Sequence, residues 1–112
     1  MRVHLVDGTY ELFRQHFGSA SRHGDRQPNA AAAGVVASTL ALIAAGATHV
    51  GVASDTTIES FRNDLWPGYK TSVGMDPEIL EQIPVMERAL RAAGFTVWSM
   101  VEHEADDALA AA

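Results

Sequence analysis

The chain has 112 residues, 47% hydrophobic and 20% charged, which suits one soluble globular domain with a single core. It contains no cysteine, so disulfide frameworks, thiolate metal sites and cysteine nucleophiles are excluded. Fourteen acids against eight Lys and Arg give a formal charge of −6, which argues against a non-specific nucleic-acid binder and leaves room for a divalent cation.

Arg2 leads at once into a short apolar run and Asp7, with no signal-peptide pattern. Val3 to Val6 reads as a strand, with Asp7-Gly8 as its turn. Thr9 is expected to cap a helix that carries Tyr10, Phe13 and Phe17 on one face, and Gly18 to end it. Gly18 to Pro28 is polar, carries Arg22, His23 and Arg26, and reads as a loop. Residues 27–54 hold no Asp, Glu, Lys or Arg. That run is Ala-rich and divided by Gly46, so it reads as a buried helix and a buried strand rather than a membrane span. Asn29 is the expected cap of the helix Ala30 to Ala45, and His49 to Ala53 is the second strand.

Ser54 to Thr57 closes that strand, and Phe61 to Lys70 is irregular, mixing aromatics with charge. Asp76-Pro77-Glu78 is a helix start with cap, first-position proline and first-turn acid. Ile79, Ile83, Met86, Leu90 and Ala93 form its apolar stripe, Pro84 is expected to kink or split it, and Gly94 to end it. Phe95 to Val101 is the third strand, and Ala105 to Ala112 the last helix. The five histidines show no paired ligand spacing and read as surface or packing residues. Trp66 and Trp98 read as packing residues. The alternation predicts an α/β fold, a parallel sheet with helices on both faces. Three strands and an uncapped helix end suggest the N-terminal part of a larger domain.

Each predicted strand ends in acid: Asp7, then Asp55, then Glu102, Glu104, Asp106 and Asp107. Taken singly, Asp7 reads as a turn residue, Asp55 as a cap, and the last acids as partners of a helix dipole. In a parallel sheet, however, all these ends lie on one edge, where open α/β folds bind ligands. Hard oxygen donors without Cys or His partners suit Mg²⁺ or Mn²⁺, ions that orient and polarise phosphate esters. Arg62 and Lys70 follow Asp55 and read either as phosphate contacts or as solvated cations.

Val6-Asp7-Gly8 with Tyr10 and Arg14, Thr48-His49-Val50 leading to Asp55, Ser60-Phe61-Arg62 through Tyr69-Lys70, the run from Pro77 to Pro84, and Glu104-Ala105-Asp106-Asp107 stand in one order across the chain. This ordered set resembles the 5′-3′ exonuclease domain of bacterial DNA polymerase I and its flap endonuclease relatives. The resemblance implies a PIN-like, resolvase-like fold that hydrolyses phosphodiesters of DNA with Mg²⁺ or Mn²⁺, two ions in the complete domain. Asp7, Asp55, Glu104 and Asp106 would hold the first ion, and Asp107 would lean toward the second. Tyr69 and Lys70 would meet substrate near the scissile phosphate, with Arg62 and Arg14 as further substrate contacts. The implied substrate is branched or 5′-flap DNA, acted on by a cytoplasmic monomer without a membrane partner. The sequence departs from the family pattern at Ser54, at Thr71 to Gly74, and at His103. The implied DNA-binding helices and further carboxylates would lie downstream of residue 112. Two rival readings are a PIN-type ribonuclease and an inactive domain that only binds nucleic acid or a partner.

Overall fold

Val, Leu and Ala runs bounded by turn residues give three parallel strands, β1 (Val3–Asp7), β2 (His49–Asp55) and β3 (Thr96–Met100), ordered β1-β2-β3. The computed structural model describes residues 1–23, 29–66, 68–73 and 75–112. Its helices are α1 (Gly8–His23), α2 (Ala30–Ala44), α3 (Arg62–Leu65), α4 (Pro77–Ala92) and α5 (Ala105–Ala111). Val3 pairs with His49 and Asp7 with Ala53, while Ala53 pairs with Trp98 and Asp55 with Met100. Asp7 and Asp55 therefore share one face at the carboxyl edge, because strand side chains alternate.

Parallel neighbours require crossovers, and right-handed crossovers in this strand order deliver their helices to the same side. Accordingly α1, α2 and α4 pack on one another and on β2. Their core is Leu12, Ala31, Ala32, Val35, Val52, Ile79, Ile83, Met86 and Leu90. Each of the larger side chains contributes about 2 kcal/mol of burial. The remaining helix, α5, lies against all three strands. It meets the face that bears Asp55, so helices do cover both faces, though unequally. Away from α5 this second face leaves Val3 and Leu5 exposed. Trp98 leans over Gly51 there, and a Cβ at position 51 would lie 2.6 Å from the indole ring. Among the described residues no helix is long and apolar enough to cross a membrane.

Several local expectations are corrected. α1 starts at Gly8, ahead of Thr9, and runs through Gly18 to His23. A glycine stops a helix when it turns left-handed, and Gly18 does not. The expected loop is therefore helical over residues 18–23, and residues 24–28 lie outside the described residues. Asn29 does precede α2, but at φ 60° and without a side-chain cap bond. A distant residue does that work: Gln82 Oε1 accepts the Ala32 N–H at 3.0 Å, and Gln82 Nε2 donates to the Glu78 carbonyl at 3.1 Å. Pro84 does not split α4, whose residues 79, 83, 86 and 90 are fixed in the core. Asp76 caps that helix as expected, its Oδ1 accepting the Glu78 N–H at 2.9 Å. Gly46 and Gly94 follow α2 and α4 with φ of 109° and 96°, the left-handed stop both were expected to supply.

Gln82 is buried, so its loss would leave the Ala32 amide without a partner. Gln82→Met, of similar volume, is expected to lower unfolding free energy by about 1–2 kcal/mol. Urea titration checks this: the midpoint should fall while the slope stays constant.

Candidate active site

The three strand ends bring together residues that are some fifty positions apart. Asp7 closes β1 and caps α1, its Oδ1 accepting the Tyr10 N–H at 3.1 Å. Asp55 closes β2 and is 6% exposed. It is held from two sides: its N–H donates to Thr9 Oγ1 at 2.8 Å, and its Oδ1 accepts the Ala105 N–H at 2.7 Å. Glu104, 5% exposed, immediately precedes α5, and Asp106 stands exposed in the first turn.

Two cations from the segment between β2 and α4 enter this group. Lys70 Nζ lies 2.7 Å from Glu104 Oε1 and 3.9 Å from Asp55 Oδ2. Arg62 donates through Nη1 to Glu104 Oε2, and in a fork to Asp107, with Nη1 to Oδ2 at 3.0 Å and Nη2 to Oδ1 at 2.8 Å. Asp107 Oδ2 also accepts the Glu104 N–H at 2.8 Å.

The protonation equilibria record the same geometry. Burial pushes the Asp7 carboxyl up, the Tyr10 N–H opposes this, Asp55 and Asp106 raise it further, and Lys70 pulls it back. The net direction is upward, so Asp7, Asp55, Asp106 and Lys70 share one field. Burial also pushes Glu104 up, but Lys70 and Arg62 prevail and hold it below the usual carboxylate range. The Arg62 fork, then the Glu104 N–H, hold Asp107 well below that range. Burial lowers Lys70, while Glu104, Asp55 and Tyr69 outweigh it and keep the ammonium charged.

The supporting contacts were not singled out in the sequence. Thr9, expected as a cap, instead holds the Asp55 backbone. Asn63 accepts the Ser60 N–H at 3.0 Å and donates to the Lys70 carbonyl, closing the 60–70 segment on itself. Phe61 donates its N–H to the Glu102 carbonyl and packs in a tilted arrangement against the His103 ring, centroids 5.0 Å apart. Beneath β2 and β3, buried Glu87 accepts from Thr56 at 2.8 Å and from Ser99. Ser54, paired with Ser99 in the sheet, is wholly buried, its hydroxyl without a hydrogen-bond partner among the described residues. All these partners are separated by loops or crossovers, except Asn63 and Ser60, which sit inside the recognisable Phe-Arg…Tyr-Lys segment.

Other expected residues fall outside the cluster or at its rim. Arg14 is exposed on α1 and pairs with Glu11 at 2.7 Å. It lies seven residues beyond Asp7, about 10 Å along the helix. Tyr69 is exposed beside Lys70. Trp66, expected to pack, is 63% exposed at the end of α3. His16 is buried and lies 3.1 Å from Asp76, with Glu78 close by. Those three come from α1 and the start of α4, and the His16–Asp76 contact joins these helices.

The pH dependence follows from these directions. Glu104 and Asp107 have depressed pKa values, so their stabilisation is present above the ordinary values of 4.5 and 3.8 and is lost as pH falls below them. Asp7 is raised, so its ionisation destabilises the fold as pH rises above 3.8. Asp7→Asn is therefore expected to raise the melting temperature by a few degrees at pH 7 in EDTA, with the gain vanishing toward pH 3. Circular-dichroism melts across pH 3–7 check both parts.

Comparison with known proteins gives the family. Residues 2–112 match the 5′-3′ exonuclease, N-terminal resolvase-like domain. DNA polymerase I of Bacillus caldotenax is 29% identical over 106 residues, 92% of this chain and 12% of that protein. The 5′-3′ exonuclease of Mycoplasma pneumoniae is 40% identical over 57 residues, 50% of this chain and 20% of that protein. Among solved structures, a bacteriophage T5 protein co-crystallised with metal ions superposes with a TM-score of 0.72 at 20% identity, covering 99% of this chain and 43% of that one. The T5 flap endonuclease in a complex with DNA and metal ions has a TM-score of 0.67 at 22% identity, with the same coverage. The chain thus spans a fifth or less of these curated relatives and under half of the solved ones, whose likeness establishes the resolvase-like fold. With the match running from residue 2 to residue 112, this chain belongs to the 5′-3′ exonuclease N-terminal resolvase-like domain family.

Proposed function

We propose that this chain carries the metal-binding edge of a divalent-metal-dependent 5′ nuclease that hydrolyses DNA phosphodiesters at 5′ ends and flaps. The observation that carries this reading is the meeting of Asp7, Asp55, Glu104 and Asp106 with Lys70 at one sheet edge. The donor set fits Mg²⁺ or Mn²⁺, because it is all carboxylate oxygen. Burial is the main cause that raises Asp7, and Asp55 and Asp106 add repulsion that a further cation would relieve; the ammonium of Lys70 already rests among these acids. Asp7, Asp55, Glu104 and Asp106 would hold the ion, directly or through water. A bound divalent ion supplies Lewis-acid polarisation of the phosphoryl oxygen and a more acidic water.

The chain's own residues do the rest. Thr9 and the Ala105 N–H fix where the Asp55 carboxylate points. Lys70, kept charged, is placed to neutralise a phosphate brought to the acids. Tyr69 beside it offers an exposed ring for an unpaired base, and Arg14 an exposed cation farther along α1. The T5 flap endonuclease complexed with DNA and metal ions supports flap DNA as the substrate class. A place in the cytoplasm fits the DNA polymerase I relatives.

Incubation of a labelled 5′-flap duplex with Mg²⁺ or Mn²⁺ tests this. Cleavage should be abolished by EDTA and reduced about 100-fold or more by Asp106→Ala. An RNA flap of the same shape should be cut more slowly; faster cutting would favour a ribonuclease. Absence of Mn²⁺ binding at millimolar concentration, read by electron paramagnetic resonance, would overturn the metal-dependent reading.

A further inference from the structure

We infer that Arg62 is a positioning residue that holds Asp107 as an anchor of the acidic turn and keeps its carboxylate out of the ion-binding set. The ion-binding part of this inference rests on the function proposed above. The geometry is that of a clamp. Both Asp107 oxygens accept from the Arg62 fork, at 3.0 and 2.8 Å, and Oδ2 also accepts the Glu104 N–H at 2.8 Å. Two parallel N–H···O bonds between guanidinium and carboxylate fix direction as well as distance. Asp107 is thereby turned back onto the start of its own helix, where it supplies the amide of residue 104 with a partner.

The guanidinium is equally committed. Nη1 reaches Glu104 Oε2 as well as Asp107. Its carbon stands 4.6 Å from the centre of the Phe61 ring. Phe61 in turn is fastened to the turn through the Glu102 carbonyl and His103. A phosphate contact would need an arginine directed outward with its fork open, whereas this one faces two acids. Lys70, eight residues later, touches Glu104 through its other oxygen, so the two cations divide the work. Arg62 orders the turn, and Lys70 is the cation placed beside the ion-binding acids.

Arg62→Ala, Arg62→Lys, Asp107→Ala and the Arg62→Ala/Asp107→Ala pair, each in the intact chain, test the inference through two readouts. The first is the melting temperature in EDTA. Each Ala variant should melt lower than the wild type, and the double variant should lose clearly less than the sum of the two single losses, because the Arg62–Asp107 fork is lost in each single variant. Arg62→Lys should recover less than half of the loss, because one ammonium cannot reproduce the fork. Additive losses would overturn the clamp. The second is Mn²⁺ affinity by electron paramagnetic resonance. With Arg62 present, Asp107→Ala should change the dissociation constant by less than about twofold. In the Arg62→Ala background, where Asp107 is released, the same change should weaken binding by about fivefold or more. A loss of about tenfold from Asp107→Ala alone would make Asp107 an ion ligand and overturn the inference. If the wild-type chain binds no Mn²⁺, the proposed function fails, while the melting comparison still decides the clamp.

Discussion

Repulsion among carboxylates is the constraint on which this structure turns. Asp7, Asp55, Glu104, Asp106 and Asp107 gather at one edge of a three-stranded sheet, partly withdrawn from water, where like charges interact more strongly than in bulk solvent. The fold relieves this with two cations from a single stretch, residues 62 and 70. Arg62 neutralises Glu104 and Asp107, and Lys70 bridges Glu104 toward Asp55. The relief is incomplete, since Asp7 remains raised, by burial first and then by Asp55 and Asp106. An edge of this kind attracts further positive charge, which is the physical content of the proposed metal site.

The surrounding structure holds the acids still. Asp55 is caught between Thr9 and the start of α5, so α1, β2 and α5 are tied at one point. Below the edge, Glu87 reaches from α4 to Thr56 and Ser99, joining the ends of β2 and β3 to the helix layer. Gln82, one turn away on α4, supplies the cap that the sequence of α2 lacks. These polar bonds are buried or part-buried, and most link elements distant in sequence, so a slip of one helix would be felt at the acids. They give the edge the rigidity that a site for a small ion needs.

The segment between β2 and α4 lies along this acidic edge. It docks by Phe61 and Arg62 on the acidic turn and is closed internally by Asn63, yet it leaves Trp66 and Tyr69 exposed. Fixed cations and free aromatic rings in one short stretch suit a strand of nucleic acid, which presents phosphates and bases together. The acidic charge of the chain does not oppose that reading, because steering depends on where the cations stand rather than on their sum.

The sequence by itself determined the strand–helix alternation, the parallel sheet and the convergence of the strand-end acids. These follow from hydrophobic periodicity and from the rule that parallel strands end on one edge. The ordered motifs likewise carried the family, whose domain matches residues 2–112. Tertiary structure alone decided which acid meets which cation. Whether Asp107 faces an ion or an arginine depends on Arg62, forty-five residues earlier. Gly18 was expected to stop α1 and did not, because a stop depends on the backbone turning left-handed rather than on the residue type. Gln82 and Glu87 were likewise silent in the sequence, and Thr9 read as a helix cap rather than as the partner of Asp55. Their partners lie 50, 31 and 46 residues away, and hydrogen bonds over such separations leave no period or motif to read.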